Sequence, residues 1–242
     1  MHERVLNLEA HCTADIMVRN LLSVVYTYTS LFQQLYAPPS HNAMTAYGSG
    51  CRAFEHVFSQ GECSACAAFA FASMYGMRSC KNGGNEFPSP YRVFDCGKGD
   101  CETGMTMDNV IAGMRVGVTD LAKSPAVYGW GCPAAGGPLK ISTWFPVILS
   151  PIIKREILAN GPVLASISVS EEYMSYQNQT EVYGNGIGLH GIHMVVVIGW
   201  GAATGTEPEH WIIQNSWSTD WGENGRGKYA MSFFDMMYSV YQ

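Results

Sequence analysis

Four residues in this chain have the types and settings that nucleophilic catalysis needs: Cys66, His193, Asn215 and Gln60. Cys66 follows the polar turn formers Gln60-Gly61-Glu62-Cys63-Ser64-Ala65 and precedes the run Ala67-Ala68-Phe69-Ala70-Phe71-Ala72. The second half is rich in helix and core formers, which puts Cys66 in the first turn of a buried helix. The positive end of the helix dipole favours the thiolate, the reactive form of cysteine. Taken alone, the stretch fits a buried, inert cysteine equally well. His193 stands at the mouth of the β-branched run Met194-Val195-Val196-Val197-Ile198, which reads as a buried strand. Asn215 ends a second short apolar run, His210-Trp211-Ile212-Ile213-Gln214. A thiolate can attack a carbonyl, an imidazole can move the proton, and an amide can orient the imidazole.

A nucleophilic cysteine followed roughly 130–150 residues later by His and Asn is the papain and cathepsin pattern. With three motifs in that order, the chain resembles the papain-like cysteine proteases, and within them the cathepsin B branch most closely, from about Met44 to near the C-terminus. The resemblance implies an α+β fold of two lobes. A helical left lobe and a β-barrel-like right lobe would hold the active-site cleft between them. It assigns Cys66 as nucleophile, His193 as acid–base, Asn215 as its orienting partner, and Gln60 as an oxyanion donor with the backbone N–H of Cys66. Trp217 would cover the Asn–His contact.

The same resemblance supplies substrate-binding residues. Gly104 stands in the turn that hydrogen-bonds extended substrate, although Asp100 and Thr103 replace glycines there. Ser64 lies at the cleft wall. Tyr238 falls at the base of the pocket for the residue two before the cleaved bond, where it would accept apolar or aromatic groups. The histidine pair that makes cathepsin B a carboxydipeptidase should lie around 122–142, and no histidine occurs there. Endopeptidase action is therefore expected. Ala67 replaces the Trp that usually follows the nucleophile, and Ser64-Ala65 replaces Gly-Ser.

Eight cysteines in a chain with only 14% charged residues suggest a route where disulfides persist. Sequence leaves their connectivity open. The resemblance pairs Cys63 with Cys101, Cys96 with Cys132 and Cys51 with Cys80, leaving Cys12. Zinc is a rival reading of Cys63-Ser64-Ala65-Cys66, but no second Cys-x-x-Cys or His pair completes a site. A thioredoxin-like role lacks the βαβ context. No metal and no cofactor are therefore expected.

The elements that position these groups can be read in outline. A helix should run from about Ala65 to Met77 and stop before the turn cluster Cys80-Lys81-Asn82-Gly83-Gly84. A second short helix should follow Phe87-Pro88-Ser89, and Thr106 to Met114 has helical spacing. Residues 133–150 lead from the helical half to the β half. Ser150-Pro151 should open a helix, with Ser as cap, that stops at Asn160-Gly161-Pro162. Val163 to Val169 should be a strand.

The chain has 242 residues, 47% of them hydrophobic, enough for one catalytic domain over 44–242. Residues 1–43 read as a loosely packed or disordered extension, or as a pro-segment remnant, with helices possible between Leu6 and Leu35. Leu21 to Phe32 make a poor signal-peptide core. The net charge of −6 argues against a nucleic-acid partner. No run of 18 apolar residues is present, so no membrane span is expected. Asn178-Gln179-Thr180 is an N-glycosylation sequon. The resemblance implies polypeptide substrates, cystatin-like inhibitors, a monomer, and a lysosomal, vacuolar or secreted location. A catalytically impaired homologue that binds peptides or proteins is the alternative.

Overall fold

The structure is a computed structural model that describes residues 37–177, 181–184, 191–231 and 234–241. Residues 38–242 form one compact unit. The expectations for Leu6 to Leu35, Cys12 and Asn178 lie outside the described residues.

A short strand β1 (His41–Asn42) leads into helices α1 (Ala43–Tyr47) and α2 (Arg52–Glu55). Ala43 is fully buried, so the packed unit includes residues placed by sequence in the extension. The long helix α3 spans Cys66–Lys81. It continues one turn past the expected Met77, because the chain does not break until Asn82-Gly83-Gly84. Buried Ala, Phe and Met residues lie all round α3, the pattern of a helix enclosed by its domain.

Helices α4 (Pro90–Cys96) and α5 (Met107–Val116) pack beside α3. α5 starts in a capping box: Thr106 Oγ1 accepts the Asn109 N–H while Asn109 Oδ1 accepts the Thr106 N–H.

The β half begins with β2 (Thr143–Val147), followed by helix α6 (Ser150–Asn160). Leu149, not Ser150, is the N-cap residue, so Ser150 is already helical and makes no capping bond. Gly161 ends α6 at φ 101, a conformation that favours glycine. Strand β3 occupies Val163–Val169, where the β-branched Val163, Ile167 and Val169 suit extended, buried backbone. Then come α7 (Glu171–Met174), β4 (Val182–Tyr183), β5 (Gly191–Gly201), β6 (His210–Gln214), β7 (Arg226–Ala230) and β8 (Phe234–Tyr241).

These strands form one sheet in the order β2-β8-β3-β5-β6-β7-β4, with β1 on β5. Among the described residues the sheet does not close, since β2 and β4 each have one neighbour. The right half is therefore a curled, open sheet rather than a complete barrel. β5 is central, and its residues 193–200 are all buried. α3 packs on β5, which brings the helix carrying Cys66 against the strand carrying His193.

One buried arginine fastens α3 to the sheet. Arg78 donates to the carbonyls of Pro162, Gly161 and Val240, to Ser239 Oγ, and to Glu156 at 3.0 Å. Three disulfides join Cys51 to Cys80, Cys63 to Cys101 and Cys96 to Cys132. Cys66 is the free thiol among the described residues.

Candidate active site

Cys66 is the first residue of α3, half-buried, and it follows a loop with little freedom. The Cys63–Cys101 disulfide anchors that loop, Ser64 N–H bonds the Cys101 carbonyl at 3.0 Å, and Ala65 N–H bonds the Cys63 carbonyl at 2.7 Å. The backbone N–H of Met194 faces the Cys66 sulfur. Met194 directly follows His193 on β5, so the thiol abuts the strand that carries the imidazole.

His193 is buried on β5, opposite Ile167 of β3. Its Nε2 lies 2.8 Å from Asn215 Oδ1. That oxygen also accepts the Ser216 backbone N–H at 2.7 Å. An amide oxygen can only accept, so Nε2 must carry the proton, and Nδ1 is left available to the sulfur side. Asn215 sits immediately after β6, where its own N–H bonds the Gly225 carbonyl at 2.9 Å. Trp217 lies over His193 with ring centroids 4.5 Å apart and planes tilted by 31°. Tyr173 of α7 supports both rings from behind, 5.5 Å from Trp217 and 6.3 Å from His193. This layer keeps water from the His–Asn bond, which strengthens it.

Burial sets the charges. It raises the Cys66 thiol, and the N–H groups of Met194, Ala67 and Cys66 itself offset part of that rise. Burial also drives His193 down to about 4, opposed by its bond to Asn215. Each shift reflects the cost of a lone charge away from water.

Gln60 is buried beside this group. Its Nε2 donates to the Cys63 carbonyl at 2.9 Å, and its Oε1 accepts from the Ser216 hydroxyl at 2.7 Å. One amide N–H therefore remains to point elsewhere. Its backbone is held by the Ser216 carbonyl, which accepts the Gln60 N–H, and by the Tyr128 hydroxyl, which donates to the Gln60 carbonyl.

The remaining sequence candidates fall in two places. Gly104 adopts φ 82, and a Cβ there would come within 3.0 Å of the Ser64 carbonyl, so Gly104 and Ser64 adjoin. Asp100 and Thr103 form a turn of their own. Asp100 Oδ1 accepts the N–H groups of Glu102 and Thr103 and the Thr103 hydroxyl. Tyr238 is partly buried on β8, with its ring 5.5 Å from Trp144. Burial raises its phenol.

The segment before Cys132 is pinned rather than loose. Arg92 donates to the carbonyls of Gly131 and Val127, while Asp95 accepts the N–H groups of Gly129 and Gly131. Ser216, Tyr128 and Tyr173 were not singled out from the sequence. Ser216 could have been, standing between two chosen residues; the other two carry no local signal.

A family model described as papain family cysteine protease matches residues 39–234. The chain belongs to the papain family of cysteine proteases. Among curated relatives, cathepsin B-like CP1 of Giardia intestinalis is 29% identical over 209 residues, covering 75% of this chain and 67% of that protein. The gut-specific cysteine proteinase of Caenorhabditis elegans is 26% identical over 225 residues, covering 78% and 67%.

Two solved structures share the fold. Procathepsin B S9 from Trypanosoma congolense superposes with TM-score 0.73 at 21% identity, covering 86% of this chain and 79% of that one. Bromelain from Ananas comosus, in complex with the inhibitor E64, gives 0.68 at 22% identity, covering 84% and 99%. This papain-family chain thus has the α+β architecture and the cathepsin B-like kinship that its motifs suggested. Its membership makes it a hydrolase of the cysteine-protease type. None of its described helices is long and apolar enough to cross a membrane.

Proposed function

We propose that this protein is a cysteine endopeptidase in which Cys66, His193 and Asn215 act as a triad and Gln60 stabilises the oxyanion. One observation carries the reading: Asn215 fixes the proton on Nε2 of a buried imidazole, while a free thiol sits against the same strand.

Proton transfer from sulfur to Nδ1 creates both charges together. The burial costs that oppose each charge alone are then offset by their attraction, about 4 kcal/mol at 4 Å in a partly screened site. The thiolate attacks the peptide carbonyl, forming a C–S bond and a tetrahedral oxyanion. The free amide N–H of Gln60 and the Cys66 backbone N–H stabilise that oxyanion. The C–N bond breaks as the imidazolium gives its proton to the leaving amine. Water then attacks the thioester, His193 accepts its proton, and the carboxylic acid product leaves as the sulfur regains its starting state.

Gly104 and Ser64 line the acyl side, where extended substrate would pair with backbone. Tyr238 closes an apolar pocket there. The pinned segment 127–132 carries no histidine to grip a free C-terminal carboxylate, which supports endopeptidase action over dipeptide release. The substrates are polypeptides, with cystatin-like proteins as inhibitors. The catalytic domain acts as a monomer, in a lysosomal, vacuolar or secreted setting.

A second reading, a papain-fold protein that binds peptides without turnover, is favoured by the burial shifts on Cys66 and His193 and by Ala67. Labelling with E64 separates the two. Cleavage of a blocked-end peptide under reducing, acidic conditions, abolished by Cys66→Ala, is the expected result. No label at Cys66 and no cleavage would sink the endopeptidase reading.

A further inference from the structure

A single imidazole seats the first strand of the packed unit. β1 pairs with β5, His41 opposite Trp200 and Asn42 opposite Gly199, on a stretch that β3 leaves free beyond its pair Val163–Val197. The His41 ring lies 5.2 Å from the ring of the fully buried Trp200, tilted by 38°. The Trp200 indole N–H donates to the Pro38 carbonyl at 3.0 Å. A Cβ at Gly199 would strike the His41 carbonyl oxygen, so the strand seats against bare glycine.

The surroundings of this imidazole suit its neutral form. Nε2 is buried and has no hydrogen-bond partner among the described residues. Protonated, it would become a donor without an acceptor. The charges nearby are cations. Lys81, at the end of α3, acts on His41 through its charge and lies 5.3 Å over the Tyr47 ring, while Lys154 of α6 lies 5.5 Å over the Trp200 ring. Arg78 acts on Tyr47, whose hydroxyl is also buried without a partner among the described residues. The carboxylates Glu156 and Glu209 are taken by Arg78 and Lys154. Burial and then Lys81 hold the His41 imidazole below its ordinary 6.5.

We infer that His41 is an acid-operated latch: neutral, it holds β1 on β5; protonated, it drives β1 off, uncovering Trp200 and the β5 backbone at Gly199. The released strand takes up its proton near pH 6.5, whereas the docked ring resists it. Docking stability from this group is therefore fully present above pH 6.5 and is lost as pH falls through the lower docked value. While the docked ring stays neutral, the opening constant rises about tenfold for each pH unit below 6.5. The latch does not depend on the reaction at Cys66.

The test is hydrogen exchange of the full chain at pH 7 and pH 5, read by mass spectrometry over residues 38–44. A Cys66→Ala background prevents self-cleavage, and protection is corrected for the intrinsic exchange rate at each pH. His41→Phe keeps a ring against Trp200 and cannot take a proton. On going to pH 5 the parent should lose protection about tenfold or more beyond any loss in His41→Phe. His193 titrates in both proteins, so the difference belongs to residue 41. His41→Lys carries a fixed charge and should expose 38–44 already at pH 7. Equal acid losses in the parent and His41→Phe overturn the latch. So does full protection of His41→Lys at pH 7, an outcome that can be read even where His41→Phe fails to fold.

Discussion

The hydroxyl of Ser216 donates to Oε1 of Gln60 at 2.7 Å, and both side chains are buried. With the Cys63 carbonyl holding one N–H, this bond leaves the Gln60 amide a single free donor in a fixed direction. Ser216→Ala should therefore lower kcat by about tenfold with little change in KM, because the donor direction relaxes. Gln60→Ala should cost about 100- to 1,000-fold. In the Gln60→Ala background the serine change should add almost nothing, since the two act through one donor. Full additivity of the two losses in steady-state kinetics would show that Ser216 acts some other way.

Acid should destabilise the protein through His193. Its folded pKa of about 4 lies below the ordinary 6.5, so the unfolded chain binds the extra proton first as pH falls. The stability that follows is present above about pH 6.5 and is lost as pH drops through 4. Its size is of the order of 3 kcal/mol. Urea melts of Cys66→Ala and of Cys66→Ala with His193→Phe, at pH 7 and pH 4, isolate it. The double variant should lose less stability over that interval, and equal losses would contradict the assignment.

Tyr173 is fully buried in a box of aromatic rings, and its hydroxyl has no hydrogen-bond partner among the described residues. A buried polar group without a partner costs about 1–3 kcal/mol. Tyr173→Phe keeps the ring contacts with Trp217, Trp221 and His193, so it should raise the melting temperature by a few degrees. A fall in melting temperature would mean that the hydroxyl is satisfied in solution.

Removing Arg78 should be severe. The guanidinium serves four acceptors besides Glu156, itself nearly buried at 10% side-chain exposure. Arg78→Met takes the cation from that carboxylate, which keeps only its bonds from Asn160 and Ser239, and takes the donor from several carbonyls, at a cost of about 3–5 kcal/mol. Arg78→Met with Glu156→Gln should recover part of the loss. Chemical denaturation of the two proteins measures both effects.

Much of the fold was legible because local rules and tertiary context agreed. Val163, Ile167 and Val169 are β-branched, and Asn160-Gly161-Pro162 must end a helix, so β3 and the end of α6 fell where the sequence pattern put them. Boundaries failed where the decisive force was not local. α3 ran past Met77 because Arg78 and Ser79 are buried with partners in the domain, and the residues that break the helix begin only at Asn82. Ser150 looked like a cap, yet Leu149 took the position, since Pro151 tolerates either of the first helical sites.

The order Cys66, His193, Asn215 by itself determined which side chains could do chemistry, because residue type and spacing along the chain are properties of sequence. It also named the family, since three motifs seldom occur in that order by chance. Only the tertiary structure decided how those groups behave. Burial that raises one thiol and lowers one imidazole, and the oxygen of Asn215 shared with Ser216 so that Nε2 must be protonated, depend on neighbours far apart in sequence. Desolvation and hydrogen-bond geometry are set by what packs alongside a group, and that is fixed when the sheet and α3 close on each other.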